Sequence, residues 1–392
     1  MSYTVGITGP INVADFREFI DPAQWRDGLP KGQGGTPVNL LCRELLRRGQ
    51  KLVVFSCDLV DKEVVLEGDL LRLCIGPKGK RPARNFFQIE RDYLQQAIRR
   101  EKPDVVHANW TYEYAMPVQV SGLPHVITAH DAPINIVRHN FIPFRIARTM
   151  MAYRVTSRAR RIISVSPYVA EHLGRFMLYR GESEVIPNGM PDQVFSREPA
   201  PREAGRGLTF ATILVGWGGY KNSQVAIEAF ARFRQRNPDS RLLMFGTPHG
   251  PGELAEQWAK ARNIEAGIEF VGQLPYEALM SRVAAEVDVL VHPALEEAQP
   301  MVLIEAMALR IPVIGGKSSG GVPWTLNHGE VGLLVDVRFP DQIAEAMQKL
   351  VDDPELRWNL AERAQIHARN NFHIKAVTDA YQAVYAQLAE QK

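Results

Sequence analysis

The sequence predicts an α/β protein built on two doubly wound parallel sheets. Three observations carry this. Short, continuous apolar runs alternate with amphipathic helical patterns through nearly all of the 392 residues. Such runs are buried on both faces, which marks parallel strands covered by helices on each side. The pattern occurs twice, on either side of FSREPAPREAGRG (195–207). That stretch is rich in proline, glycine and charge and lacks periodicity, so it reads as the linker.

The elements follow in order. The first half opens on the strand TVGIT, the helix TPVNLLCRELLRRG and the strand KLVVFSC. DVVHANW, HVITAHD, RIISVS and EVIPNG come next, each followed by polar or helical sequence. The second half begins with LTFATILVG and the helix NSQVAIEAFARFRQR. RLLMFG, GIEFVGQL, DVLVHP and IPVIGG complete it. The expected domains are 1–195 and 208–371. A helix within 372–392, roughly Lys375–Leu388, sets Val377, Tyr381, Val384 and Tyr385 at helical spacing. It is expected to pack back on the first domain. No internal repeat and no low-complexity segment is visible.

Composition excludes several classes. Hydrophobic residues make up 45% and charged residues 23%, an ordinary globular balance. No apolar run approaches the roughly 20 residues that span a bilayer. No leader with a basic start and a long apolar core is visible, so a cytoplasmic protein is expected. Cys42, Cys57 and Cys74 lack CxxC spacing and read as reduced packing residues. Residues 1–200 hold 27 Lys and Arg against 21 Asp and Glu, and the remainder 19 against 23. A basic front half and an acidic back half suit two lobes with different partners, and the offset is too small to argue for nucleic acid.

Open α/β sheets bind ligands beyond the carboxyl ends of their strands, so the loops after the strands matter most. After DVLVHP, a helix is expected from about Pro300 to Leu309, with Pro300 suited to its first turn. Glu297 then lies in the loop before the helix and Glu305 in its second turn. The N–H groups of Met301, Val302 and Leu303 are expected to be free for an anion. The spacing fits two readings: both carboxylates grip a ligand, or Glu297 is solvated and Glu305 benefits from the helix start.

VGWGGYKN (215–222) brings three glycines and Lys221 to a helix start. A lysine is unfavourable there, so it has an anionic partner or is an exposed turn residue. Gly34 and Gly35 precede the first helix, as a phosphate-approaching entry or an ordinary loop. His130 ends the strand HVITAH, in the crevice or as a structural histidine. NWTYEYAM (109–116) gathers aromatics that stack on sugar rings or simply pack. Residues 138–161 hold seven arginines and no acid, a surface for an anionic lipid or phosphorylated acceptor, or a solvated face. A DxD pair, metal-spaced His and Cys, a GxSxG elbow and a Walker A loop are all missing from the sequence. VGITGPIN (5–12) lacks the last glycine of a dinucleotide fingerprint.

Taken together these pieces resemble the family 4 retaining glycosyltransferases of the GT-B fold, over nearly the whole length. The most specific element is E-x7-E from Glu297 to Glu305, followed by EAMA and IPVIGG. Gly34-Gly35, PDVVHANW, His130-Asp131, SVSPYVAEHL, VIPNGM, Lys221-Asn222, FVGQLPYEAL and GGVP (320–323) support it. The resemblance implies two Rossmann-like domains facing a central cleft, 1–195 for the acceptor and 208–371 for the donor. It implies a hexosyltransferase that moves a sugar from a nucleoside diphosphate, UDP or GDP first, to a hydroxyl. The acceptor would be a sugar, a lipid-linked molecule or a small molecule, with no metal and no cofactor.

By the same resemblance Glu305 binds the ribose. The backbone of Met301, Val302 and Leu303, with Lys221, Gly34 and Gly35, binds the diphosphate. Residues Gly272–Leu274 hold the base. Glu297 binds hydroxyls of the transferred sugar, His130 lies beside it, and Glu297, His130 and Lys221 are the catalytic candidates. A departing diphosphate develops negative charge that Lys221 and a helix start stabilise. Peripheral contact with an anionic membrane through 138–161, at its inner face, goes with this reading. Three departures stand out. Trp217 occupies the place of an arginine usual in the family, Trp324 follows GGVP where glutamate is common, and NGMPD replaces NGVD. The alternatives are an epimerase or phosphorylase on the same fold, or a non-catalytic nucleotide-sugar binder.

Overall fold

A computed structural model describes residues 3–197 and 206–390. The chain forms two units. One runs up to Gly189 and resumes at Ile374, and the other is Met190–His373. Residues 198–205, the middle of the expected linker, lie outside the described residues.

The first unit carries eight strands: β1 Val5–Thr8, β2 Leu52–Asp58, β3 Val64–Glu67, β4 Leu71–Pro77, β5 Val105–Asn109, β6 His125–Ala129, β7 Arg161–Ser164 and β8 Glu182–Val185. Their order is β3-β4-β2-β1-β5-β6-β7-β8. β1 sits centrally, with Val5 beside both Leu52 and Val105. Every residue of β2 is buried, as two covered faces require. The sheet departs from the all-parallel expectation at one edge. β3 runs antiparallel to β4, with Glu67 opposite Arg72. VVLE-GDL-LRLC carries its own tight reversal, in which Gly68 N–H bonds the Leu71 carbonyl at 2.8 Å.

The helix Thr36–Arg47 buries Val38, Leu41, Cys42 and Leu45 at three- and four-residue spacing, and Pro37 opens it. The helix Ile374–Ala389 adds Val377, Tyr381, Val384, Tyr385 and Leu388 to the same core. It also completes a buried polar chain. His107 Nδ1 meets Tyr385 Oη at 2.7 Å, His107 Nε2 meets Thr128 Oγ1 at 2.7 Å, and Thr128 Oγ1 meets Tyr381 Oη at 3.0 Å. Burial holds the His107 imidazole neutral, its pKa near 3.

The second unit has β9 Thr209–Ile213, β10 Arg241–Phe245, β11 Ile268–Gly272, β12 Val289–Val291, β13 Val313–Gly316 and β14 Leu333–Val335. Their order is β11-β10-β9-β12-β13-β14, and every pairing is parallel. Core clusters lie on both faces, one around Leu303, Ile304 and Met307 and the other around Phe210, Phe230 and Met347. Strand order reverses at β9, so the loops after β9 and β12 flank a switch point. The three cysteines are free and buried. Among the described residues no helix is long and apolar enough to cross a membrane.

Candidate functional site

The loop after β9 turns at two glycines in the left-handed region, Gly216 (φ 111°) and Gly219 (φ 59°). It brings Lys221 into a short 3₁₀ turn just before the helix Ser223–Arg234. Asn222, also left-handed at φ 57°, locks the loop. Its Nδ2 donates to the Pro293 carbonyl at 3.0 Å and to the Val337 carbonyl at 2.8 Å. Asn222→Ala removes both bonds and places alanine where asparagine is favoured. An unfolding free energy lower by about 3 kcal/mol is expected, read from urea denaturation.

Lys221 Nζ donates to Glu297 Oε1 at 2.7 Å. His292, directly after β12, sets Nε2 3.5 Å from the same oxygen. Burial opposes ionisation of Glu297, but the Lys221 charge and the His292 ring outweigh it and hold the carboxyl down at about 2. The Glu297 carbonyl accepts from Gly321 N–H at 2.7 Å, which ties the GGVP segment to the motif.

Glu305 stands in the helix Met301–Ala308 and is only 8% exposed. Burial pushes its carboxyl up to about 7, and a hydrogen bond from Tyr276 pulls the other way. One motif thus holds two carboxyls in opposite states. Glu297 is firmly ionised beside a cation, and Glu305 is poised near neutrality beside a phenol.

The expected trio of free N–H groups is reduced. Leu303 N–H donates to the Pro300 carbonyl at 3.2 Å, and its side chain is fully buried in the core. Met301 and Val302 remain as donors at that helix start. Gly272 (φ 79°) ends β11 so close to Gly250 that a Cβ would lie 2.8 Å from its Cα. Leu274 is half-buried against the core. Trp217 does not project as a substitute for an arginine. It packs edge-on against Trp258, ring centroids 5.6 Å apart, and beside His249 at 6.1 Å. Trp324 likewise packs edge-on against Phe372.

In the first unit Gly34 (φ 88°) and Gly35 (φ 90°) precede the helix Thr36–Arg47. A Cβ on Gly35 would fall 2.0 Å from the Pro10 carbonyl oxygen, whereas one on Gly34 would meet nothing within 4 Å. Gly35 is demanded by packing, and Gly34 faces open space. Asp58 pins the loop, accepting from Gly32 N–H at 2.8 Å and from Gln33 Nε2 at 2.6 Å. His130 Nε2 lies 3.0 Å from Asn109 Oδ1, and its ring stacks on Trp110 at 4.3 Å. Burial keeps it neutral, its pKa near 3, so it suits an uncharged donor or acceptor role.

Tyr112 and Tyr114 are core residues, so the aromatic group near 110 is mostly packing. The arginines of 138–161 do not form one strip. Arg148 turns inward to Glu113 and lies over the rings of Phe87, Tyr112 and Phe144, and Arg138 lies over Phe176.

Lys221 and Glu297 meet in the second unit, and Glu305 stands in the same unit on the helix Met301–Ala308, while Gly34, Gly35 and His130 lie in the first. The sequence reading missed His292 and Tyr276. Both stood in quoted segments, DVLVHP and FVGQLPYEAL; Tyr276 is far from Glu305 in the chain, and His292, five residues before Glu297, carries no motif that marks it. Among the described residues no group of three His, Cys, Asp or Glu is placed to hold a metal.

Two family models match the chain: glycosyl transferases group 1 over residues 216–367 and glycosyltransferase family 4 over residues 35–194. Each half of the chain thus matches a glycosyltransferase family model. The chain is 34% identical over 172 residues to a D-inositol 3-phosphate glycosyltransferase of Corynebacterium glutamicum, covering 42% of this chain and 41% of that protein. It is 28% identical over 372 residues to the protein of the same name from Pseudarthrobacter chlorophenolicus, covering 86% and 87%. The match therefore spans about two fifths of the first relative and most of the second. Sucrose-phosphate synthase from Thermosynechococcus elongatus superposes over the full length of both chains with TM-score 0.80 at 20% identity. Anabaena HepE in complex with UDP-glucose gives TM-score 0.71 at 16% identity, covering 98% and 100%. The chain has the GT-B fold.

Proposed function

We propose that the chain transfers a hexosyl group from a nucleoside diphosphate sugar to an acceptor hydroxyl, with retention at the anomeric carbon. The observation that carries this is the contact of Lys221 with Glu297 between the loops after β9 and β12, with the helix bearing Glu305 following the second of these loops. Lys221, with the N–H groups of Met301 and Val302, stabilises the charge that grows on the departing diphosphate. Glu305 takes the ribose diol, Glu297 takes hydroxyls of the transferred sugar, and the turn at Gly272 receives the base. In the first unit, His130 and the Gly34-Gly35 entry serve the sugar and the phosphates.

Two comparisons support a nucleotide sugar. HepE was captured with UDP-glucose, and the relatives are named as glycosyltransferases. UDP is the first choice of base and GDP the second. The acceptor is a polyol, a growing glycan or a lipid-linked sugar, and no metal takes part.

The test is thermal melting against UDP, GDP, ADP, dTDP and their sugars. A ligand at 100 times its Kd stabilises by about 2.7 kcal/mol, a shift of a few degrees for a chain this long. One nucleotide is expected to stand out, and Lys221→Ala is expected to weaken its binding about tenfold or more. No shift with any of them would remove the donor site.

A second reading, a non-catalytic nucleotide-sugar binder, draws on Trp217. Its ring is packed into the fold where a second phosphate cation was expected. That protein would show the same melting shift but release no diphosphate in the presence of acceptors.

A further inference from the structure

The first unit contains a cavity of about 890 Å³ that the reading above does not use. It lies where three strands begin: His125, Arg161 and Glu182, the first residues of β6, β7 and β8, all line it. His130 follows the opposite end of β6, five residues on, which is about 16 Å at strand rise. The cavity is therefore a separate place from the Gly34-Gly35 and His130 loops.

Its lining is strongly basic. Arg91, Arg154, Arg158, Arg160 and Arg161 face it, against the acids Asp92 and Glu182. Arg161 is already paired, with Glu184 at 2.8 Å and Gln387 at 2.8 Å. Arg91 gives one Nη to Gln88 at 2.5 Å, but its Nε is buried without a partner. Among the described residues the guanidinium groups of Arg154, Arg158 and Arg160 meet no acceptor.

A local explanation covers part of this. Arg154 and Arg158 lie at the end of the helix Pro143–Thr156, where its dipole favours cations. It does not explain why Arg91 and Arg160, from two other elements, converge on the same space. Unpaired like charges gathered in a concavity repel each other unless an anion enters.

We propose that this cavity binds a phosphate-bearing anion, a phosphomonoester or diphosphate group, at a site apart from the transfer residues. Guanidinium groups match phosphate oxygens in pairs, and the volume lies within the range of small-molecule sites. The phosphate belongs either to a soluble molecule or to a lipid headgroup. Val120, also in the lining and 54% exposed, gives the rim an apolar edge that either can use.

The test compares the full chain with the double variant R154Q/R158Q, both positions being exposed, and with K221A. Titration calorimetry with inorganic pyrophosphate measures the soluble source. Flotation with phosphatidylcholine vesicles, with and without phosphatidylglycerol, measures the lipid source. Wild type and K221A are expected to bind at least one probe alike, with affinity falling as salt rises. R154Q/R158Q is expected to bind that probe at least tenfold more weakly with an unchanged melting temperature. Pyrophosphate binding without flotation makes the source soluble, and phosphatidylglycerol-dependent flotation makes it lipid. Two results overturn the proposal: wild-type-like binding by R154Q/R158Q, or no binding of either probe by wild type. Pyrophosphate binding that K221A alone loses belongs to the donor site and counts as the first of these.

Discussion

Glu297→Gln is expected to lower the rate of hexosyl transfer by about a thousandfold or more. The side chain keeps its size and one acceptor oxygen, so Lys221 retains a partner at the 2.7 Å contact. What disappears is the full charge that grips sugar hydroxyls and sets the position of the Lys221 ammonium against the leaving phosphate. A stability cost comes with it. The folded chain holds this carboxyl at about 2 against 4.5 unfolded. The ionised form therefore contributes stability above pH 4.5 that is lost as pH falls toward 2. At neutral pH the variant forfeits up to roughly 3 kcal/mol. Rates must accordingly be compared well below both melting temperatures. Turnover within tenfold of wild type there would strip Glu297 of its proposed role.

Glu305→Gln is expected to do the opposite for stability. Folding raises this carboxyl from 4.5 to about 7. Between those values the folded chain binds a proton that the unfolded chain has released. Stability thus falls as pH rises through that window, by about 3 kcal/mol at its upper end. Glutamine cannot ionise, so its curve lacks this fall. At pH 5 the two proteins should have similar urea midpoints. At pH 8 the variant should be the more stable, while its affinity for the nucleotide drops because a charged acceptor for the ribose diol is gone. A wild-type-to-variant difference that does not change between pH 5 and pH 8 would show that Glu305 does not titrate there.

The fold and the main loops were legible because their signals are local. Doubly covered strands read as apolar runs, proline marked the start of Met301–Ala308, and Lys221, Glu297 and Glu305 stood in one recognisable order. Part of what escaped is long-range, and part is local geometry that residue types alone do not reveal. Nothing near Lys221 in the chain shows that its ligand-free partner is Glu297, because the two meet only when β9 and β12 lie side by side. His292 and Tyr276 are ordinary residues in a strand end and a helix start until the fold aims them at carboxylates. The antiparallel β3 hid in a hairpin whose apolar runs differ little from those of parallel strands. The Leu303 N–H was expected to be free because a helix start usually leaves it so, and a local turn to Pro300 took it. The arginines of 138–161 looked like one surface because sequence cannot say that Arg148 turns inward while its neighbours border a cavity.

The helix Ile374–Ala389 fixes an order of events during synthesis. It supplies Val377, Tyr381, Val384 and Tyr385 to the core of the first unit, together with the phenols that satisfy His107 and Thr128. Yet the ribosome makes it only after the whole of Met190–His373. The second unit is one continuous stretch and can close while translation proceeds. The first unit, begun earlier, must keep an uncovered apolar face and a histidine Nδ1 without its tyrosine partner until this late segment leaves the exit tunnel. A chain stalled before residue 374 should therefore carry a native second unit and a first unit that engages chaperones and yields readily to protease.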